Sequence, residues 1–239
     1  MTTEALTEGG QDWEEQARKW IAWARKPGFD SYWRYREEFL DFVPSPGAAT
    51  LDVGCGEGRV SRDLAAVGHR LTSVDASPTL LEAAREAHPE GDYRLADAAD
   101  LPFPDGSFDL AIAYNVLMDV SDLPGVVRGI ARVLVPGGKL CIAITHPVIN
   151  TGTMIGAGND RKFVFDQPYF ESRKYRDTEK RDGMEMTFVG WQHPLTAYTR
   201  ALEEAGLLIE SLIEPLARRF DGTIAPVPFH MWFRVRKPA

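Results

Sequence analysis

Apolar residues divide this chain into stretches of different period. Residues 1–11 are small and polar and are expected to form a disordered tail. Trp13, Ala17, Trp20, Ile21 and Ala24 then recur at helical spacing. A second helical pattern runs from about Ser31 to Phe42, until Pro44 and Pro46 end it. From residue 50 the period changes. Short apolar runs at 50–53, 70–75, 92–97, 108–113 and 139–145 alternate with helical stretches at 59–66, 78–87 and 123–134. Five strands alternating with helices predict an α/β fold with a doubly wound, parallel sheet and right-handed crossovers. Beyond Thr145 the alternation breaks. Residues 146–190 are long, polar and aromatic, which predicts a functional insertion holding a short hairpin. A helix over 195–205, stopped by Gly206, leads to a sixth strand over 207–216. His230 to Arg236 then alternates as a strand with one exposed face.

The chemistry concentrates where the first strand ends, in Leu51-Asp52-Val53-Gly54-Cys55-Gly56-Glu57-Gly58. A strand, a glycine turn and a helix open a nucleotide-binding α/β unit, because glycine lets the backbone turn sharply and a ligand approach the main chain. A dinucleotide turn needs its third glycine where this chain has Arg59, and Asp52 and Glu57 would repel a diphosphate. The Lys-Ser/Thr signature of a phosphate-cradling loop is also missing. A ligand with an adenosine half and a cationic half suits the turn better. Asp75 ends the second strand about twenty residues on, the interval at which a carboxylate meets a ribose diol.

These residues resemble motif I of the class I S-adenosylmethionine (SAM)-dependent methyltransferases. Pro102-Phe103-Pro104-Asp105-Gly106-Ser107-Phe108-Asp109 and Leu134-Val135-Pro136-Gly137-Gly138 are similar to further signatures of that family, in its small-molecule branch. The resemblance implies a seven-stranded sheet of order 3-2-1-4-5-7-6 with the last strand antiparallel. It covers about residues 48–145 by motif and 194–237 by topology. The cofactor set it implies is Asp52, Gly54, Cys55, Gly56, Asp75 and Ala76, with Asp97 and Ala98 on the adenine and Asn115 and Val116 at the exit of strand four. Related chains often carry His in place of Met118. The Asn/Asp-Pro-Pro-Tyr pattern of enzymes that methylate bases is absent.

On this reading residues 12–239 form one domain, with a helical lid over 12–46 and a substrate-pocket insertion over 146–190. Tyr32 and Tyr35 are the lid residues placed to close over cofactor and substrate, since each pairs a hydroxyl with an apolar ring. His146 and His193 are the candidate general bases, because an imidazole titrates near neutral pH. His69 and His88 are expected to be solvated. A formal net charge of -8 argues against a broad nucleic-acid footprint. Cys55 and Cys141 lack metal-ligand spacing and read as reduced thiols, and no metal is expected. The start Met1-Thr2-Thr3-Glu4 lacks the features of a signal peptide and no apolar run is long enough to span a membrane, so cytoplasmic residence is the expectation. The expected partner is a small-molecule acceptor methylated at O or N, with the chain a monomer or homodimer. The rival readings are a SAM-binding fold that performs a cyclisation or decarboxylation, a macromolecule methyltransferase, and a non-catalytic binding protein.

Overall fold

In the computed structural model, residues 8–156, 161–217 and 223–239 are described. Seven strands form the central sheet: β1 (Thr50–Val53), β2 (Leu71–Asp75), β3 (Asp92–Leu95), β4 (Phe108–Tyr114), β5 (Leu134–Thr145), β10 (Leu208–Ile213) and β11 (His230–Arg236). Their order is β10-β11-β5-β4-β1-β2-β3. β1 to β5 pair in parallel, while β11 runs antiparallel to both β5 and β10. Counted along this sheet alone, that is the expected order. Val135 to Gly138, ahead of the expected strand over 139–145, form a bulge within β5: the register steps from Phe108↔Leu134 to Leu110↔Lys139.

Side-chain alternation explains why helices cover both faces. Leu110, Ile112, Tyr114, Cys141 and Ala143 point to one side and share a core with Phe39 of α2 (Tyr32–Phe42) and Leu64 of α3 (Arg59–Ala66). Ala111, Ala113, Leu140, Ile142 and Ile144 point to the other and meet α5 (Leu123–Val133) and α6 (Leu195–Glu204). His230, Met231, Trp232 and Phe233 are all buried, so β11 does not have the exposed face that its alternation suggests. Met231, Phe233 and Val235 enter the core on one side of the sheet and Trp232 the core on the other, so both faces of β11 are covered.

Helix α1 (Glu8–Ala24) starts earlier than the polar composition of residues 1–11 suggests. Glu8 to Gln11 are helical and Gly10 is buried; residues 1–7 lie outside the described residues. Tertiary contacts hold this end. Glu14 accepts hydrogen bonds from Ser77 and Thr79 at the start of α4 (Pro78–Ala87), where Ser77 also caps the helix by accepting from the Leu80 amide at 3.1 Å. The insertion after β5 forms two hairpins rather than one. β6 (Gly152–Ile155) pairs with β7 (Lys162–Phe165), and β8 (Arg173–Arg181) pairs with β9 (Met184–Gln192). Residues 157–160, within this insertion, are outside the described residues. The β8–β9 hairpin folds back onto α1, where Trp20 and Trp23 meet Phe188 edge to face.

Candidate functional site

The C-terminal ends of β1, β2 and β4, helix α1 and the β8–β9 hairpin enclose a cavity of about 480 Å³. Open α/β sheets hold ligands at this edge because the strand order reverses there, between β1 and β4. The glycine turn forms part of its wall. Gly54 has φ +67°, and a Cβ on it would collide with the Val116 side chain, so the turn fits against the exit of β4 only without a side chain. Gly54, Cys55, Gly56, Ala76, Ala98 and Val116 all line the cavity. Cys55 does so with its thiol turned into a small core of Leu81, Ala84 and Tyr93, where burial pushes the thiol pKa well up.

Three expected acids share this wall: Asp52, Asp75 and Asp97. Asp75 accepts from the Gly56 amide at 2.7 Å and the Ser77 amide at 2.8 Å, one on each carboxylate oxygen. It thereby ties the glycine turn to the start of α4. Burial raises its pKa, against the pull of those two amides. Asp52 accepts from Ser61 Oγ at 2.5 Å, and burial, with the charge of Asp75 adding to it, pushes its carboxyl up to about 7. Asp97 spends one oxygen on the Ala99 amide at 2.8 Å. Glu57 departs from the expectation that it repels an anionic ligand. Its side chain is 1% exposed and is held by Arg62 at 2.9 Å and Arg25 at 3.3 Å, so its charge is met inside the protein.

The turn after β4 supplies two more polar groups. Asn115 takes a left-handed φ of 55°, its amide donating to the Ala143 carbonyl at 2.7 Å, and its Oδ1 is buried without a hydrogen-bond partner. Asp119 lines the same cavity, and its Oδ1 is likewise buried and unpartnered. Burial raises its pKa well above the carboxylate range, with the charge of Asp75 adding to the effect. The indole N–H of Trp13 lies beside Asp119 without closing a hydrogen bond of good geometry. Acids whose pKa values are raised, together with the unpartnered oxygens of Asn115 and Asp119, fit a ligand that brings positive charge and hydrogen-bond donors. The ribose hydroxyls, amino groups and sulfonium of SAM meet that description; a polyphosphate does not.

Four expected site residues lie elsewhere. Tyr32 is 1% exposed and is absent from the cavity wall: its hydroxyl donates to Asp63, and its ring meets Tyr114 edge to face. Tyr35 is buried as well, against His230 and Trp232. Helix α2 turns these tyrosines inward, so the cavity is closed by the tryptophans of α1 instead. His146 is directed at Glu214, 2.9 Å from Nε2, while its Nδ1 accepts from the Val148 amide. His193 stacks on Trp191 and pairs Nδ1 with Ser172 Oγ at 3.0 Å. Neither imidazole lines the cavity, and burial lowers the pKa of both. His69 is buried rather than solvated, 3.1 Å from Thr50 Oγ1. The cavity residues that sequence reasoning missed are Asp119, Tyr175 and the Asp30–Arg59 ion pair. Only Asp119, just past a strand exit at the ligand edge, had a signal in the sequence.

Residues 51–142 match the family described as Methyltransferase domain. A ubiquinone biosynthesis O-methyltransferase of Xanthomonas oryzae pv. oryzae is 38% identical over 113 residues, which cover 44% of this chain and 47% of that protein. A demethylmenaquinone methyltransferase of Tropheryma whipplei is 38% identical over 122 residues, 49% of this chain and 50% of that protein. The match thus spans about half the length of these curated relatives. Among solved structures, an S-adenosylmethionine dependent methyltransferase from Mesorhizobium loti superposes with a TM-score of 0.66 at 24% identity, covering 87% of this chain and 98% of that one. The [4+2]-cyclase SpnF superposes with the same TM-score at 19% identity, covering 98% of this chain and 97% of that one. At these identities the superpositions speak for the fold. Among the described residues, no helix is long and apolar enough to cross a membrane. Sheet order, glycine turn and sequence match agree: residues 51–142 match the methyltransferase domain family, and the chain has the fold of the class I SAM-dependent methyltransferases.

Proposed function

We propose that this protein transfers a methyl group from SAM to an oxygen or nitrogen of a small-molecule acceptor. The observation that carries the reading is Asp75, half-buried at the tip of β2 with both oxygens engaged by the backbone of the turn and helix start. A carboxylate so fixed keeps lone pairs for the two hydroxyls of a ribose. Asp97 and Ala98 would flank the adenine, and Asp52, Asn115 and the glycine turn the amino-acid end. When bound, SAM supplies a methyl group on a positively charged sulfur.

The chain's own contribution is alignment and dryness. In-line displacement needs the acceptor atom, methyl carbon and sulfur held in a row, and it gains from a site that excludes water. Trp13, Trp20 and Trp23 of α1 line the cavity and would serve that exclusion, together with Phe188 of β9, which lines it beside them. The lid over 12–46 is accordingly assigned to α1, and the substrate-pocket role of 146–190 to the β8–β9 hairpin. Cytoplasmic residence belongs to the same proposal and is supported by Cys55 and Cys141, both buried and unpaired. Calorimetry tests the cofactor reading. S-adenosylhomocysteine should bind at micromolar concentration or tighter, and NAD and ATP should not compete; tight binding of either nucleotide, with none of S-adenosylhomocysteine, refutes it.

A further inference from the structure

The cavity continues past the strand tips, between α1, the turn after β4 and the inner face of the β8–β9 hairpin. Asp119 lies at its base. Gly190 of β9 makes room for it: a Cβ there would stand 2.8 Å from Asp119 Oδ1 and 2.9 Å from the Tyr175 hydroxyl. Alternation along β8 turns Tyr175, Asp177 and Glu179 to one side, and all three line the cavity. Burial, and with it the charges of Asp119 and Asp177, raise the pKa of the Tyr175 phenol, so both acids lie near it.

The neighbouring cations are already engaged. Arg181, the next residue on that face, donates to the carbonyls of Gly28 at 3.1 Å and Phe29 at 2.8 Å, and lies over the Trp23 and Phe29 rings. Arg59 pairs with Asp30, and Arg34 interacts with Tyr35 on α2. The walls are aromatic, an edge-to-face series in which Trp13 meets Trp20 at 5.5 Å and Trp20 meets Phe188 at 6.2 Å. Aromatic faces and unpaired carboxylates both attract an organic cation, whereas an anionic acceptor would bury like charge against Asp119.

We infer that the methyl acceptor is an amine with an apolar body, its N–H directed at the buried Oδ1 of Asp119 and its approach favoured by Asp177 and Glu179. The inference rests on the methyl-transfer reading and narrows its acceptor. The ammonium group gives a proton to the Asp119 carboxylate. The freed nitrogen lone pair forms the new C–N bond as the C–S bond breaks, and that bond's electron pair stays on sulfur. The positive charge moves from sulfur to the methylated nitrogen, and the proton on Asp119 returns to solvent.

Three probes with one common body test this on the full chain loaded with S-adenosylhomocysteine: phenethylamine, 2-phenylethanol and phenylacetate. Calorimetry should show the amine binding at least tenfold tighter than either of the others. Asp119→Asn should shrink that preference to less than threefold while S-adenosylhomocysteine still binds, and Asp177→Asn should reduce it by a smaller factor. Equal or tighter binding of the alcohol or the carboxylate overturns the inference. So does an amine that fails to bind at millimolar concentration, or a preference unchanged in Asp119→Asn. If that variant does not fold, the wild-type series and Asp177→Asn decide the matter. Failure of S-adenosylhomocysteine to bind the wild-type chain would instead sink the methyl-transfer reading itself.

Discussion

Asp75→Asn separates the architectural and ligand-binding roles of one carboxylate. In the wild type, two acceptor oxygens face two backbone N–H donors, at Gly56 and Ser77. An amide offers one oxygen and one NH₂ group in the same space. Whichever way it turns, an N–H meets either the Gly56 or the Ser77 amide. One charge-assisted hydrogen bond to the backbone is lost, at about 1.5–3 kcal/mol. Part of that is returned, because a carboxyl whose pKa burial has raised no longer has to be held as an anion. The net loss of fold stability should therefore be small, about 1 kcal/mol, equivalent to a fall in Tm of about 2–4 °C. Binding has no such offset, since ribose hydroxyls lose a charged acceptor. The affinity for S-adenosylhomocysteine should drop by about 10- to 100-fold, or about 1.4–2.7 kcal/mol. Titration calorimetry, paired with a thermal melt of the free protein, reads both quantities. A variant that melts like the wild type and binds S-adenosylhomocysteine within twofold of it would refute the assignment of Asp75 to the ribose.

Asp52, pushed up to about 7 by burial, should make cofactor binding depend on pH. The folded chain keeps a proton here that the unfolded chain has released, so this group's contribution to stability falls as pH rises from the ordinary carboxylate range through 7. A cationic ligand prefers the anion, so SAM affinity should tighten by roughly tenfold between about pH 6 and pH 8. A flat profile, or an unchanged slope in Asp52→Asn, contradicts this. His146→Asn and His193→Asn should leave methyl transfer to any accepted substrate within about threefold of wild type, since neither ring lines the cavity; a loss of about a hundredfold in either would restore it as a general base. Gly54→Ala should cost about 2–4 kcal/mol in denaturant unfolding, because its Cβ would meet Val116 at a left-handed φ. Wild-type stability in that variant would show that β4 and the turn can move apart.

The amino-acid sequence determined the parts of this protein that depend on neighbouring residues. Runs of apolar residues separated by helical stretches specify β1 to β5 and their crossovers, because strand and helix periods are local. The Gly54 to Gly58 turn, the acid at Asp75 and its spacing from Asp52 are legible for the same reason: a glycine turn and a strand-end acid carry their geometry with them. The expected sheet order followed from family resemblance, and the tertiary structure realises it.

What only the tertiary structure decided is which side chains face the cavity. Tyr32 and His193 have the right chemistry for a site, yet the orientation of α2 on the sheet and the stacking of His193 on Trp191 turn them away from it. Asp119, by contrast, is one acid among 35 acidic residues in the sequence. Its significance comes from Gly190, far along the chain in β9, and from Trp13, near the start of α1, which both lie against it at the cavity where its Oδ1 is buried. Burial depends on chain segments that meet only after folding, and it is burial that makes a carboxyl an unpaired, chemically distinct group.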